Sequence, residues 1–285
     1  MSRLTREGWL QSHAYLRGID ELCAQVERTL AALPLETPRS PSWDEHREEF
    51  LEGVPLFQSS TVAFDLEAGN GMVVALAERL ASDPAQGERS LEAAALAAEL
   101  RQEGAAPRVV SWLLGDDAWT PRAPGFLRFL GWTALRRLFR PTIEEFARWR
   151  DEERWLRSYC PTCGSGPTMG QLVGKDPGRK RHLSCGRCGT LWQYKRSQCP
   201  FCEEDAQQAL VLTIEGEAGL RIDRCASCQG YLKTYDGQGD EELLLADWSS
   251  LHLDVLATDR GWKRLAASLY ELPLASADST ELTEL

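Results

Sequence analysis

Residues 184–202 read SCGRCGTLWQYKRSQCPFC and place two Cys-x-x-Cys pairs only ten residues apart. A further pair lies on each side, so eight of the nine cysteines fall within 160–228. Twenty-one residues separate the first pair from the second, and twenty-two separate the third from the fourth. The same unit therefore occurs twice in tandem, with a repeat of about 39 residues.

Each unit is typical of a metal site made of four thiolates. Two cysteines that are separated by two residues can direct both sulfurs at one tetrahedral ion, while backbone N–H groups donate to the sulfurs. Gly164 and Gly189 directly follow the second cysteine of their pairs, where a left-handed backbone costs glycine nothing. The predicted metal ligands are Cys160, Cys163, Cys185, Cys188, Cys199, Cys202, Cys225 and Cys228.

The spacing leaves two questions about these sites open. Sequential pairing would join the first pair to the second and the third to the fourth, whereas interleaved pairing would join first to third and second to fourth. Zinc and iron both accept four thiolates in tetrahedral geometry, so the spacing does not choose the metal. A module this small depends on its ion, which supplies on the order of 10 kcal/mol to folding.

Other uses of the cysteines are disfavoured. Thiol-disulfide catalysis usually needs a thioredoxin-type βαβ frame, and these pairs stand among short strands instead. A nucleic-acid ribbon needs a basic face, but 160–236 holds ten Lys/Arg and eight Asp/Glu, and the whole chain carries a formal charge of -11. We expect no nucleic-acid partner.

Composition also predicts the compartment. Closely spaced Cys-x-x-Cys pairs are typical of metal or redox chemistry in a reducing environment. The sequence shows no export signal, and no apolar run approaches the roughly 18 to 20 residues that span a bilayer. We expect a cytoplasmic protein without membrane insertion. The oligomeric state does not follow from the sequence.

The region before the cysteines is predicted to be an all-helical domain over 1–158. Apolar residues recur there at intervals of three and four. One helix is expected to begin at Trp43, capped by Ser42 with Glu45 completing a capping box, and another near Thr142 to run directly into Cys160. Further helices are predicted over 6–33, 63–81, 89–103, 106–114 and 125–139.

After residue 158 the pattern changes to short alternating or β-branched runs, which predict hairpins. The fold class is therefore α+β and multidomain. The predicted order after the helical domain is a first metal-binding module, a second module, a C-terminal helix and a mobile acidic tail, over 159–197, 198–240, 241–274 and 275–285.

No catalytic constellation is apparent, so an enzyme is not expected. Three histidines look isolated along the chain, His13, His46 and His252, and His182 is interpreted as a solvated strand residue. Cys23 is interpreted as a small buried hydrophobe. Five aromatic residues beside the cysteine pairs are expected to cover the module cores or, alternatively, to offer a platform to a partner: Trp192, Tyr194, Phe201, Tyr231 and Tyr235.

The segments CPTCG, SCGRCGTLWQYKRSQCPFC and CASCQGYLKTYD, followed by ADWSSLHLDVLATDRGWKR, resemble the FdhE family of formate dehydrogenase accessory proteins. The order of the four cysteine pairs, the Tyr-Leu-Lys after the last pair and the Leu-x-Leu-Asp of the following helix make the likeness specific over 142–264. The helices before it agree only in general character.

The resemblance implies a function and a metal. It implies a chaperone-like maturation factor that binds the catalytic subunit of a respiratory formate dehydrogenase and performs no formate chemistry itself. It also implies two rubredoxin-like, or zinc-ribbon-like, modules, each holding one iron ion on four of the eight cysteines, with zinc as the alternative. Glu203 stands where a rubredoxin turn has glycine, so the two sites need not bind metal equally. A second hypothesis is iron-based electron transfer to the client enzyme.

Overall fold

The computed structural model describes residues 4–34, 41–62, 64, 66–82, 88–102, 104–116, 118–175, 178–205 and 210–270. Within these ranges the chain is helical up to residue 155. The helices are α1 Arg6–Ser12, α2 Arg17–Ala32, α3 Arg47–Glu52, α4 Leu66–Ala81, α5 Glu88–Leu100, α6 Val109–Leu113, α7 Pro124–Leu138, α8 Arg140–Trp149 and α9 Glu152–Trp155.

Two of the predicted helices differ in the structure. The helix expected over 6–33 is divided, because His13 leaves the helical conformation and a 3-10 turn over Ala14–Leu16 follows before α2 begins. The helix expected at Trp43 begins instead at Arg47. Turns occupy 43–46, and the carbonyl of Ser42 accepts the N–H of Glu45 at 3.2 Å.

The last helix of this region does not run into Cys160. It ends at Trp149 because Arg150 is extended, and Asp151 then caps the short α9 by accepting the N–H of Glu153. Leu156 has a φ of 27°, which redirects the chain before the first cysteine. An Asp followed by two glutamates is a common N-cap pattern, so this break had a signal in the sequence.

The helical core lies around α4, which packs against α5 and α7. Burial of apolar side chains, including Leu76, Phe129 and Trp132, stabilises this packing. A Cβ at Gly131 would lie 2.4 Å from a methyl carbon of Leu113, so the absent side chain lets α6 approach α7 closely.

The cysteine-rich half forms one six-stranded sheet in the order β3-β2-β1-β6-β5-β4. The strands within each half of the sheet are antiparallel, whereas β1 and β6 pair in parallel across its centre. Their ranges are β1 Met169–Val173, β2 Lys180–Ser184, β3 Leu191–Tyr194, β4 Leu210–Thr213, β5 Leu220–Arg224 and β6 Tyr231–Tyr235.

The α+β fold class is thus confirmed, with an additional feature that the repeat did not predict. The two repeats share a central seam in which Met169 lies opposite Lys233 and Gly170 opposite Thr234. A Cβ at Gly170 would lie 2.9 Å from a methyl carbon of Leu232, so glycine permits this close packing. The predicted boundaries at 158/159, 197/198 and 240/241 stay predictions.

The chain after the sheet is less helical than expected. It contains α10 Glu241–Leu244, a 3-10 turn Asp247–Ser250 and α11 Leu251–Thr258. The helix ends before Gly261, which has a φ of 71°. The next residues run alongside the last cysteine turn, where Lys263 and Gly230 form a bridge. The predicted acidic tail lies outside the described residues.

Candidate metal centres

The four Cys-x-x-Cys turns share one backbone geometry. In each turn the residue after the second cysteine has a positive φ, and its N–H donates to the carbonyl of the first cysteine at 2.9–3.2 Å. The N–H of the first cysteine donates to the carbonyl five residues later at 2.8–3.0 Å. The left-handed residues are Gly164, Gly189, Glu203 and Gln229.

The eight sulfurs form two groups in the sequential arrangement. Site 1 consists of Cys160, Cys163, Cys185 and Cys188, and site 2 consists of Cys199, Cys202, Cys225 and Cys228. The Cys160–Cys188 and Cys163–Cys185 sulfur distances are 3.5 and 3.4 Å. The corresponding distances in site 2, from Cys199 to Cys228 and from Cys202 to Cys225, are 3.9 and 3.7 Å.

These distances fit a tetrahedral ion. A zinc–sulfur bond of about 2.3 Å places two tetrahedral ligands about 3.75 Å apart. A disulfide would require about 2.05 Å, and all eight cysteines are unbridged. Both groups could therefore hold a metal ion, although the donor set accepts iron as well as zinc.

Backbone N–H groups point at the sulfurs in both sites. Thr162 donates to the sulfur of Cys160 at 3.4 Å, and Phe201 donates to that of Cys199 at 3.4 Å. Such bonds favour the thiolate form that a metal ligand needs. The cysteine turns therefore prepare the sulfurs for a cation through their backbone alone.

The pKa values of the thiols show why a cation suits these groups. Burial raises the pKa of Cys160 well above its ordinary value, and the neighbouring thiols raise it further. Burial also raises the pKa of Cys199 to about 12. At Cys225 burial is outweighed by the N–H groups of Cys228 and Ser227, which lower the pKa to about 7. Several thiolates in one buried site repel each other, and a bound cation removes that repulsion.

The two sites differ in their surroundings. All four cysteines of site 1 are buried, whereas Cys202 and Cys228 in site 2 are half-buried. Site 1 rests on the helical region: Leu56 and Phe57 donate their N–H groups to the carbonyls of Pro161 and Thr162 at 2.9 and 2.8 Å. Site 2 is therefore the more accessible of the two.

The aromatic residues beside the cysteine turns lie mostly in the core. Phe201 is half-buried, and the other four are buried: Trp192, Tyr194, Tyr231 and Tyr235. The ring nitrogen of Trp192 donates to the carbonyl of Arg157 at 3.0 Å. The interpretation that these residues cover the cores is confirmed for the four buried ones.

Two histidines that looked isolated in the sequence lie together. His13 and His252 flank Glu217, with their ring Nε2 atoms at 3.2 and 2.8 Å from its carboxylate oxygens. The interpretation of these two as isolated was wrong, because the fold joins residues up to 239 positions apart, a distance that no local pattern encodes. His46 contacts Glu49 and His182 lies 3.8 Å from Glu152.

Sequence reasoning also missed a buried charge cluster under the sheet. Lys233 of β6 donates to the carboxylates of Asp247 and Asp254 at 2.6 and 2.8 Å. Arg264 donates to both oxygens of Asp247 at 2.7 Å and also pairs with Asp254. Lys233 and Asp254 belong to the Tyr-Leu-Lys and Leu-x-Leu-Asp segments that carried the family resemblance, and this was the available signal.

The helices in the described ranges are all too short or too polar to cross a membrane.

Comparisons with known proteins place these features in a family. The model of the FdhE central domain matches residues 159–196, which contain site 1 and β1–β3. A Protein FdhE homolog of Pseudomonas aeruginosa is 31% identical over 270 residues, or 91% of this chain and 84% of the relative. A Protein FdhE homolog of Stutzerimonas stutzeri is 26% identical over 91% of this chain and 83% of that protein.

A solved structure agrees with the sequence comparisons. The crystal structure of the FdhE protein from Pseudomonas aeruginosa matches with a TM-score of 0.60 and 25% sequence identity, covering 90% of this chain and 88% of that chain. The likeness thus extends through the helical region and the sheet. By sequence and by fold, this chain belongs to the FdhE family.

Proposed function

We propose that this protein is an accessory factor that binds the catalytic subunit of a respiratory formate dehydrogenase and helps it to become active. Family membership and the pair of four-sulfur groups support this proposal. In this role the protein works in the cytoplasm as a chaperone-like partner and leaves the formate chemistry to its client.

We further propose that each four-sulfur group holds one iron ion, as the family resemblance implies, with all eight cysteines as ligands. The ions act structurally, since each joins the two cysteine turns at the open end of one hairpin, β1–β2 in site 1 and β4–β5 in site 2. Site 2 and its open edge strand β4, where Leu210 and Val211 are exposed, belong to the more accessible half of the sheet. This half is the part proposed to face the client.

The observation that carries the proposal is the difference in burial between the sites. Site 1 is enclosed against the helical region, so its metal fixes the sheet on that region. Site 2 keeps two half-buried cysteines, so its metal can shape a surface that a partner reaches.

Capture of the catalytic subunit by purified variants tests this function. The double variant Cys225→Ser/Cys228→Ser is expected to lose site 2 and to capture much less client than the wild type. Cys23→Ala is the matched control, because Cys23 is a buried thiol outside both groups and should capture normally. Undiminished capture by the double variant would contradict the metal-dependent surface.

A further inference from the structure

The contact between His13, Glu217 and His252 joins three distant parts of the chain. His13 follows the last turn of α1, Glu217 lies in the turn between β4 and β5, and His252 belongs to α11. The side chains are 6%, 13% and 11% exposed, respectively. This arrangement therefore excludes most solvent at the meeting point of the helical region, the sheet and the C-terminal segment.

The hydrogen bonds of His13 fix its chemistry. Its Nδ1 lies 3.0 Å from the carbonyl of Trp9, so Nδ1 carries the hydrogen and donates it. In neutral His13 the Nε2 lone pair then faces both carboxylate oxygens of Glu217 at 3.2 Å. A lone pair and an anionic oxygen repel each other, so this contact requires a positive charge between them: a proton or a metal ion.

A metal-binding histidine usually donates its other ring N–H to a backbone carbonyl or a carboxylate, because that bond fixes the tautomer and the ring orientation. The indole of Trp9 also stacks on His13, with ring centroids 3.8 Å apart. The His13 ring is thus held in place before any ligand arrives.

The surroundings of His252 limit this cluster to one added positive charge, which is either a proton on His13, with neutral His252 donating its Nε2–H to Glu217, or one metal ion. The Nε2 of His252 lies 2.8 Å from Glu217, and its Nδ1 is buried without a hydrogen-bond partner among the described residues. If His252 were cationic, one of its N–H groups would be both charged and unsatisfied, which costs more than a neutral one. The two rings are only 4.8 Å apart between centroids, so two cations would also repel each other.

The donor set has the composition of a known class of metal site. Two imidazole nitrogens and one carboxylate are the ligands of zinc in sites that keep a fourth position open. Ligands at about 2.05 Å in tetrahedral geometry lie about 3.3 Å apart. The His13–Glu217 distance of 3.2 Å is close to this value, and all three ligand atoms lie within 4.8 Å of one another. The His252–Glu217 distance of 2.8 Å is that of a direct hydrogen bond and would lengthen by about 0.5 Å around an ion.

We propose that His13, Glu217 and His252 form a third metal site, which binds one divalent ion of the zinc type and leaves one coordination position for water. The ion links the end of α1, the β4–β5 turn and α11 through its three protein ligands. It differs from the two sulfur sites in donor chemistry, so it can be observed separately.

Cadmium-113 NMR of the full chain provides the test, because cadmium bound to four sulfurs resonates far from cadmium bound to nitrogen and oxygen. Wild-type protein loaded with excess cadmium is expected to show two signals from the sulfur sites and a third in the nitrogen–oxygen range. Glu217→Gln should lower the affinity of the third ion by more than about 100-fold, since loss of a mere outer-shell partner costs about 10- to 100-fold.

His182→Gln is the matched control, since this half-buried histidine lies beside one carboxylate and away from the cluster. It should keep all three signals. The two sulfur signals report whether each variant is folded. Absence of the third signal in the wild type, or its persistence in Glu217→Gln, would overturn the proposal.

A second measurement needs no variant. In wild-type protein with nitrogen-15 in its histidines, the third equivalent of cadmium is expected to shift the Nε2 signals of two of the four histidines. If all four histidines keep their signals while a third ion binds, that ion is elsewhere and the assignment is wrong.

Discussion

Replacing Lys233 by Met should destabilise the protein strongly, because it removes one charge from a buried cluster. The side chains of Lys233 and Asp247 are only 1% and 2% exposed. Two cations and two carboxylates balance in this cluster, and Lys233 donates to both carboxylates. Its removal leaves Arg264 alone with two anions.

The expected cost follows from these contacts. Breaking a buried ion pair on one side costs about 3–5 kcal/mol, because the partner charge stays buried without compensation. Arg264 still contacts both carboxylates, and a Met side chain fills most of the vacated volume. We therefore expect the free energy of unfolding to fall by about 3 kcal/mol, the lower end of that range.

The loss of stability in Lys233→Met should change with pH in a definite direction. Burial acts to raise the pKa of Asp247, but the ion pairs with Lys233 and Arg264 outweigh it and hold the pKa well below its usual value. In the wild type this stabilisation is present above the ordinary carboxyl pKa of about 4 and is lost as the pH falls below it. In Lys233→Met one carboxyl can take up a proton more easily, so the deficit relative to wild type should shrink on acidification.

Urea unfolding at saturating metal, followed by tryptophan fluorescence, measures the effect. The control is Lys180→Met, which removes an exposed strand lysine and should change the stability by less than about 0.5 kcal/mol. Adding Asp254→Asn to Lys233→Met should recover about 1–2 kcal/mol, since the charges balance again. A loss below about 1 kcal/mol in Lys233→Met would refute the reasoning.

Two further predictions concern the cysteine turns. A chelator added to cobalt-loaded protein should empty site 2 before site 1, because Cys202 and Cys228 are half-buried and the cysteines of site 1 are buried. The sulfur-to-metal absorption should therefore decay in two phases, and Cys202→Ser should remove the faster phase. A single phase in the wild type would contradict this. Gly189→Ala should cost about 1–2 kcal/mol, because Gly189 has a φ of 76° and the new Cβ would lie 2.6 Å from the guanidinium carbon of Arg136. Gln229→Gly at the equivalent position should leave the free energy of unfolding nearly unchanged, since relief of the positive φ offsets the added entropy of the unfolded chain, about 0.4–1 kcal/mol. A larger loss of stability for Gln229→Gly than for Gly189→Ala in urea unfolding would contradict this account.

The sulfur groups were the most predictable part of the molecule. The Cys-x-x-Cys spacing predicts the turns and the eight sulfur ligands, whereas the choice of sequential over interleaved pairing comes from the structure. Glycine at positions 164 and 189 indicated the left-handed residue of each turn in advance. Glu203 and Gln229 adopt the same conformation without that signal, because the two hydrogen bonds of the turn impose it.

Contacts between distant segments were not predictable. The cluster of His13, Glu217 and His252 depends on where α1 and α11 meet the sheet, and each residue alone has an ordinary surrounding sequence. Likewise, Lys233 lies between Leu232 and Thr234 on β6, and lysine is seldom buried, yet its side chain is enclosed. Its partners Asp247 and Arg264 lie in a segment that helical periodicity alone would have placed on one continuous helix.

The parallel pairing of β1 with β6 explains why the two repeats behave as parts of one sheet. Each repeat by itself would expose one edge of a strand beside its cysteine turns, and exposed edges invite pairing with other chains. In the fold the free edges of β1 and β6 pair with each other, with Met169 opposite Lys233. Because Lys233 also holds the segment that contains Asp247 and Asp254, the seam links the central strands to the C-terminal helix. The sulfur sites therefore fix the turns, while the seam and the buried charges fix how the turns are placed relative to each other.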